Sequence, residues 1–385
     1  MANSSSASRA SSRSLMRSAL ALLTALLMLV LAGCGVGTQN ATGGNAESQQ
    51  VVNDQESQSR LDSLISQLKG SKVDDPKSIT GPSTAENAPE IQAMVDKPTP
   101  KFPVTLTDHR GTEVTVKSAD RILALDMYGT IAQEVISLGL GDRLVGRVIA
   151  NTEPSLQKLP LVTQNGHDLN AEAVLSTNPD LVLYDESNGP QEIVEQLRSA
   201  GITVVVLDKE RSIKSITPQL KAVAHALGVD EAGEQVAARV ERELQQALEA
   251  IKEVAPKDEE GKIKMVFLYV RGNGGVFFIL GDGSGADDLI DAMQGVDVAS
   301  RGGAKELLPA NSESLVKVNP DMILTMTNGV KSTGNLDGFL ARPGVMETNA
   351  GKNRRVVDMA DGQILSYGPN TPAVLLQLAR AIYAK

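Results

Sequence analysis

Tyr269 and Arg271 stand two residues apart, directly after the apolar run Val266-Phe267-Leu268. Residues i and i+2 of a strand share one face, so the phenol and the guanidinium can point into the same space. Free tyrosine holds its proton up to about pH 10, and a neighbouring cation favours the ionised form. A phenolate is a hard anionic oxygen suited to ferric iron. His167, in the loop Gly166-His167, is a second candidate donor through its imidazole. Each residue also has a plainer use: a loop histidine is commonly solvated, and a tyrosine at a strand end is commonly a half-buried anchor. Met326 follows the apolar Met322-Ile-Leu-Thr325 and reads as pocket wall, because a thioether sulfur suits iron(III) poorly. His109, in a hairpin turn, and His225, in a helical stretch, read as structural, while Tyr128, Tyr184 and Tyr367 near strand ends carry no assignment.

The segment Gly281-Asp-Gly283-Ser-Gly285-Ala286 matches a dinucleotide fingerprint, but no first βαβ unit surrounds it and no strand-end acid follows about 20 residues on. It reads instead as a tight turn into a helix over Asp287–Met293. No Ser-His-acid set is marked, and the chain is read as a binding protein, not an enzyme. With five Tyr, five Phe, no Trp and a formal charge of −10, a nucleic-acid partner is disfavoured.

Cys34 is the sole cysteine of the 385 residues and closes Leu31-Ala32-Gly33-Cys34. Arg9, Arg13 and Arg17 precede an apolar or small-residue stretch from Ser18 to Gly33, short for a membrane span. This pattern resembles a bacterial lipoprotein signal, which implies a signal peptide over 1–33, cleavage before Cys34 and acylation there. Residues 34–100, rich in Ser, Gln, Asn, Asp and Gly, read as a mostly disordered tether, with a helical turn or two over Asp62–Leu68.

Beyond the tether, short apolar strands alternate with helices, the mark of parallel βα units. Val104–Thr107 and Glu113–Val116 flank a hairpin turn; Arg121–Leu125, Leu181–Tyr184 and Thr203–Leu207 read as strands; Ile131–Leu138 and Gln191–Ala200 read as helices. From Ser212 to about Val254 the pattern is one helix and then a longer one, and a second α/β series opens at Ile263. The expected organisation is an N-terminal α/β lobe over 101–211, connecting helices over 212–260 and a C-terminal α/β lobe over 261–385. A repeat relates the lobes: Asn170, Glu172, Asn178, Pro179 and Asp180 recur as Asn311, Glu313, Asn319, Pro320 and Asp321, a constant 141 residues later. Each copy reads as an Asn-capped helix, an Asn-Pro stop and a buried strand.

Arg121-Ile-Leu-Ala-Leu-Asp126, Leu138-Gly-Leu-Gly-Asp142-Arg-Leu-Val-Gly146 and the two Asn-Pro-Asp units resemble the substrate-binding lipoproteins of ABC importers for iron complexes, cobalamin and haem. Val162–Glu172, Tyr269-Val-Arg271-Gly272 and Met326-Thr-Asn-Gly329 are similar, more narrowly, to the haemin-binding, HmuT-type members. The resemblance implies two pseudo-symmetric lobes joined by a rigid helix and haem as the carried ligand. It implies His167 and Tyr269 as iron ligands and Arg271 and Met326 as pocket residues. Glu172 and Glu313 are the implied contacts to a permease dimer with its ATPase. The setting implied is the outer face of the cell membrane, with upstream haem-binding surface proteins as further partners. A siderophore or cobalamin carrier is the alternative on the same architecture.

Overall fold

The computed structural model describes residues 46–384 apart from 190–191 and 273–274. Cys34 and the expected signal segment lie outside these residues. Among the described residues no helix is long and apolar enough to cross a membrane.

The expectation of a disordered tether to residue 100 is corrected. Helix α1 (Ala46–Gly70) packs on two helices distant in sequence, α6 (Asp230–Val254) and α13 (Thr371–Tyr383). Leu61 and Leu68 are buried there, Ser57 Oγ donates to Glu243 Oε1 (3.1 Å), and Gln58 Nε2 donates to Gln246 Oε1 (3.0 Å). Strand β1 (Ser83–Thr84) then joins the edge of the C-terminal sheet, and Ile79, Ala85, Ala88, Ile91, Met94 and Val95 are buried. The average composition of this segment is polar, but Leu61, Leu64, Ile65 and Leu68 recur at i, i+3, i+4 and i+7 and form the stripe by which α1 docks.

In the N-terminal part, the hairpin β2 (Val104–Thr107) and β3 (Glu113–Val116) precedes β4 (Ile122–Leu125). Strand β4 pairs in parallel with β7 (Leu181–Tyr184), which pairs in parallel with β8 (Thr203–Val206). Every residue of β4 and β7 is buried, as expected of parallel strands covered on both faces. Between them run α2 (Thr130–Ser137), the short ribbon β5 (Thr163–Gln164) and β6 (Asp168–Leu169), and α3 (Ala171–Ser176); α4 (Ile193–Ser199) links β7 to β8. Helix α5 (Ile216–Ala226) and the 25-residue α6 follow. At 1.5 Å per residue α6 is about 37 Å long, and Val236, Val240, Leu244, Ala247 and Ile251 form its buried stripe.

The C-terminal sheet runs β1, β14 (Val356–Met359), β13 (Met322–Met326), β9 (Lys264–Arg271), β10 (Val276–Leu280), β12 (Leu307–Pro309), with β11 (Val296–Asp297) beside the start of β9. Its β9–β10 and β10–β12 pairs are antiparallel, whereas the N-terminal β4–β7–β8 sheet is wholly parallel. Around it lie α7 (Ala286–Ala292), α8 (Val298–Arg301), α9 (Ser312–Val318), α10 (Thr327–Ser332), α11 (Asn335–Leu340) and α12 (Asn349–Lys352).

The repeat is one structural clip used twice. Asn170 Oδ1 accepts from Ala173 N at the start of α3 (3.0 Å), and Asn311 Oδ1 accepts from Ser314 N at the start of α9 (2.9 Å). Asn178 and Asn319 then turn the chain with φ of 47° and 39°. Asp180 accepts from the backbone of Asp120 and Arg121 at the head of β4, and Asp321 accepts from Lys264 N at the head of β9. Each copy thereby ties its own strand, β7 or β13, to the strand that leads towards the cleft.

Candidate ligand-binding cleft

Tyr269 and Arg271 share a face at the end of β9, as the spacing predicts. The Arg271 guanidinium carbon lies 4.7 Å from the Tyr269 ring centroid, so cation and ring are stacked. Arg271 Nη2 also meets Asp361 Oδ1 at 2.6 Å and Met326 Sδ at 3.1 Å, while Nη1 donates to the Val270 carbonyl at 3.1 Å. Met326 is buried at the end of β13, which runs parallel to β9, and forms the wall beside the guanidinium. Helix α10, directly after Met326, needs its glycine. A Cβ on Gly329 would sit 2.9 Å from the Val270 carbonyl oxygen, so only glycine lets α10 approach β9 this closely. Asn328 N donates to Asp361 Oδ2 at 3.0 Å and fixes the acid that holds Arg271.

His167 comes from the other lobe. Asn165 (φ 48°) and Gly166 (φ 96°) adopt left-handed conformations in the β5–β6 turn and set it, half-buried, at the tip. Its pKa is lowered from 6.5 by burial and then by the positive charge of Arg271, against the opposing carboxylates Asp361 and Asp168. The imidazole is therefore neutral at neutral pH, the state in which it can donate to a metal. Its Nδ1 is buried and makes no hydrogen bond. Arg271 and Asp361 lie near enough to act on His167, and Arg271 stacks on Tyr269, so His167 and the tyrosine–arginine pair belong to one site.

Beneath them lies a set of groups that sequence reading missed. Arg211, 8 % exposed, is ion-paired with Asp185, lies 3.8 Å from Asp126 Oδ2 and sits 5.1 Å from the Tyr128 ring centroid. Burial, and then the nearby Asp185 charge, push the Asp126 pKa up to about 7, and Arg211 pulls against them. Glu134 is fully buried, neither of its carboxyl oxygens has a hydrogen-bond partner, and burial holds its pKa well above 4.5. Burial also raises Tyr128. Thr130 of the N-terminal part donates its hydroxyl to the Ser366 carbonyl of the C-terminal part, and within the C-terminal part the Tyr367 hydroxyl donates to the Gly285 carbonyl. Asp126 and Asp185 directly follow the apolar strands β4 and β7, a signal that could have marked them; Arg211 and Asp361 carry no local signal that assigns them here.

Other expectations resolve simply. Glu172 and Glu313 are exposed and occupy the second position of α3 and α9. The Gly281–Gly285 turn is filled by its own helix: Asp287 carboxylate oxygens accept from Gly283 N and Gly285 N, both at 3.0 Å, where a phosphate would have to sit. His225 Nδ1 lies 2.8 Å from Asp230, and His109 faces Asp208 at 3.9 Å, both exposed. A recess of about 510 Å³ between α1, α6 and the start of α13 is separate from the cleft residues.

The family description "Periplasmic binding protein" matches residues 127–361. The chain belongs to the periplasmic binding protein family. An ABC transporter substrate-binding lipoprotein of Bacillus subtilis strain 168 is 29 % identical over 301 residues, which is 77 % of this chain and 90 % of that one. The crystal structure of the haem-binding protein HmuT is 44 % identical, covers 81 % of this chain and all of its own (100 %), and superposes with a TM-score of 0.78. Its forms altered at a tyrosine, at an arginine two positions later and at a histidine match at 42–43 % identity. The haem-binding protein RhuT of Roseiflexus sp. RS-1, in apo form, is 32 % identical over 69 % of this chain and 98 % of its own, with a TM-score of 0.63.

Proposed function

We propose that this member of the family is the haem-binding component of an ABC importer and that haem is held in the cleft with His167 and Tyr269 as axial ligands. The observation that carries the reading is the convergence of a neutral, half-buried histidine on a stacked tyrosine–arginine pair from the opposite lobe. A flat ligand with a central ferric ion needs donors from two sides. Arg271 places positive charge over the Tyr269 ring, which favours negative charge on the phenol oxygen. The similarity to HmuT, and the residue types altered in its solved variants, support the same reading.

Cys34 would carry the lipid that holds the protein on the outer face of the membrane. Glu172 and Glu313 would dock the two lobes on a permease dimer with its ATPase, with haem arriving from surface proteins upstream. The direct test is spectroscopic. The protein mixed with haemin takes up one Soret-absorbing ligand with a phenolate-to-iron charge-transfer band, and Tyr269→Ala removes that band. An unchanged spectrum in Tyr269→Ala overturns the ligand assignment. Failure of the wild type to bind haemin, with uptake of a corrinoid or a ferric siderophore instead, overturns haem as cargo.

A further inference from the structure

The large hydrophobic side chains that stand at least 40 % exposed among the described residues gather around the two clip helices. On the N-terminal side they are Ile149, Leu161 and Leu175. Leu175 is one turn beyond Glu172 on α3 and so shares its face. Leu161 adjoins Val162, whose carbonyl receives Asn170 N at the α3 cap, and Ile149 N is held by Thr163 in the ribbon that leads into α3. On the C-terminal side they are Leu307, Leu308, Val316 and Met346. Val316 stands to Glu313 on α9 as Leu175 stands to Glu172. Leu307 and Leu308 lie just ahead of the α9 cap. Met346 sits on a turn so close to α9 that a Cβ on Gly344 would come within 2.5 Å of Ser312 Cα.

Resting on the docking role assigned above to the two glutamates, we propose that each lobe presents a composite contact: one carboxylate flanked by an apolar collar, with Leu175 and Val316 at equivalent positions. The partner is a two-fold membrane permease whose subunits each offer a cationic pocket with an apolar rim. Three observations fix that choice. The contacts occur once per lobe at the repeat offset, so the partner must offer its site twice. A carboxylate next to apolar side chains is best met by a cation that is itself partly shielded from water. Scattered exposed leucines need no cause, but confinement to two matched places on a surface does. The two components divide the labour. The charges steer encounter and set its salt dependence, while collar burial slows dissociation.

The test measures binding of the full-length protein to its own permease–ATPase complex in lipid nanodiscs, with empty nanodiscs as control. Leu175→Gln with Val316→Gln should weaken affinity by at least about tenfold, mainly through a faster off-rate and with the salt dependence unchanged. Glu172→Lys with Glu313→Lys should slow association and flatten the salt dependence. Haemin titration and thermal melting should match the wild type in both pairs, which excludes misfolding. If the glutamate pair abolishes docking and the collar pair leaves the off-rate unchanged, the collar is refuted and the docking role stands. If neither pair affects docking, the docking role itself fails. Binding to empty nanodiscs that the collar pair weakens, or a wild-type dimer in sedimentation that the collar pair makes monomeric, assigns the apolar side chains to lipid or to a second copy and overturns the proposal.

Discussion

The cleft contains two arginine–tyrosine stacks of similar geometry, 5.1 Å for Arg211 over Tyr128 and 4.7 Å for Arg271 over Tyr269, and they differ in everything around them. Arg211 is buried between Asp126 and Asp185, with Glu134 close enough to feel its charge. Arg271 is half-exposed at a strand end and shares its charge between one carboxylate, a sulfur and a carbonyl. The first stack is a fastening in which the cation answers acids that cannot reach water. The second leaves the tyrosine partly exposed, as the proposed contact with a ligand requires. The pairing of residue types therefore says little by itself; burial and the number of counter-charges decide whether a stack holds the fold or meets a ligand.

The largest effect should come from removing the cation of the buried stack. Arg211→Met leaves Asp126 and Asp185 their backbone and Ser187 hydrogen bonds but no counter-charge, and should cost about 3–5 kcal/mol of stability in urea unfolding near neutral pH. Arg271→Met, which breaks a partly exposed pair, should cost about 1 kcal/mol or less. Equal losses would erase the distinction between the stacks.

The acids of the buried stack should make stability depend on pH. The folded-state pKa of Asp126 is raised from 3.8 to about 7, so between these values the native state holds a proton that the unfolded chain has released. The stability this contributes is full below about pH 4 and lost as pH rises through about 7. The wild type should unfold at lower urea at about pH 8 than at about pH 6, and Asp126→Asn should flatten that slope. A slope unchanged in the variant would locate the proton elsewhere.

The smallest effects concern the exposed stack and are useful because they have opposite signs. Arg271 lowers the His167 pKa and Asp361 raises it. In the haem-free protein, Arg271→Met should raise the His167 pKa and Asp361→Asn should lower it further, as followed by proton NMR of the imidazole. Shifts of the same sign in both variants would mean that His167 does not face the pair.

Much of this was legible where the chain repeats a local rule. Continuous apolar runs marked the parallel strands, and the Asn–Glu–Asn–Pro–Asp repeat marked the clips whose caps and strand-tying aspartates the structure shows. Tyr269 and Arg271 met because spacing along one strand dictates a shared face. Asp361 and Arg211 were not legible because their roles arise only from tertiary approach: Asp361 lies 90 residues after Arg271, and Arg211 lies 85 after Asp126. Of helix α1 only the turns over Asp62–Leu68 were read, because its few apolar residues disappear in a polar averaged composition.

That helix also bears on how far the protein could travel. On the anchoring proposed at Cys34, 12 residues, or at most about 42 Å of fully extended chain, would separate the lipid from Ala46, where α1 begins. A chain free until residue 100 could have reached about 230 Å. On that anchoring the shorter spacer would cut the volume open to the protein on the order of a hundredfold. It would raise the effective concentration of the protein at the proposed bilayer surface accordingly, without adding a single contact to any partner there.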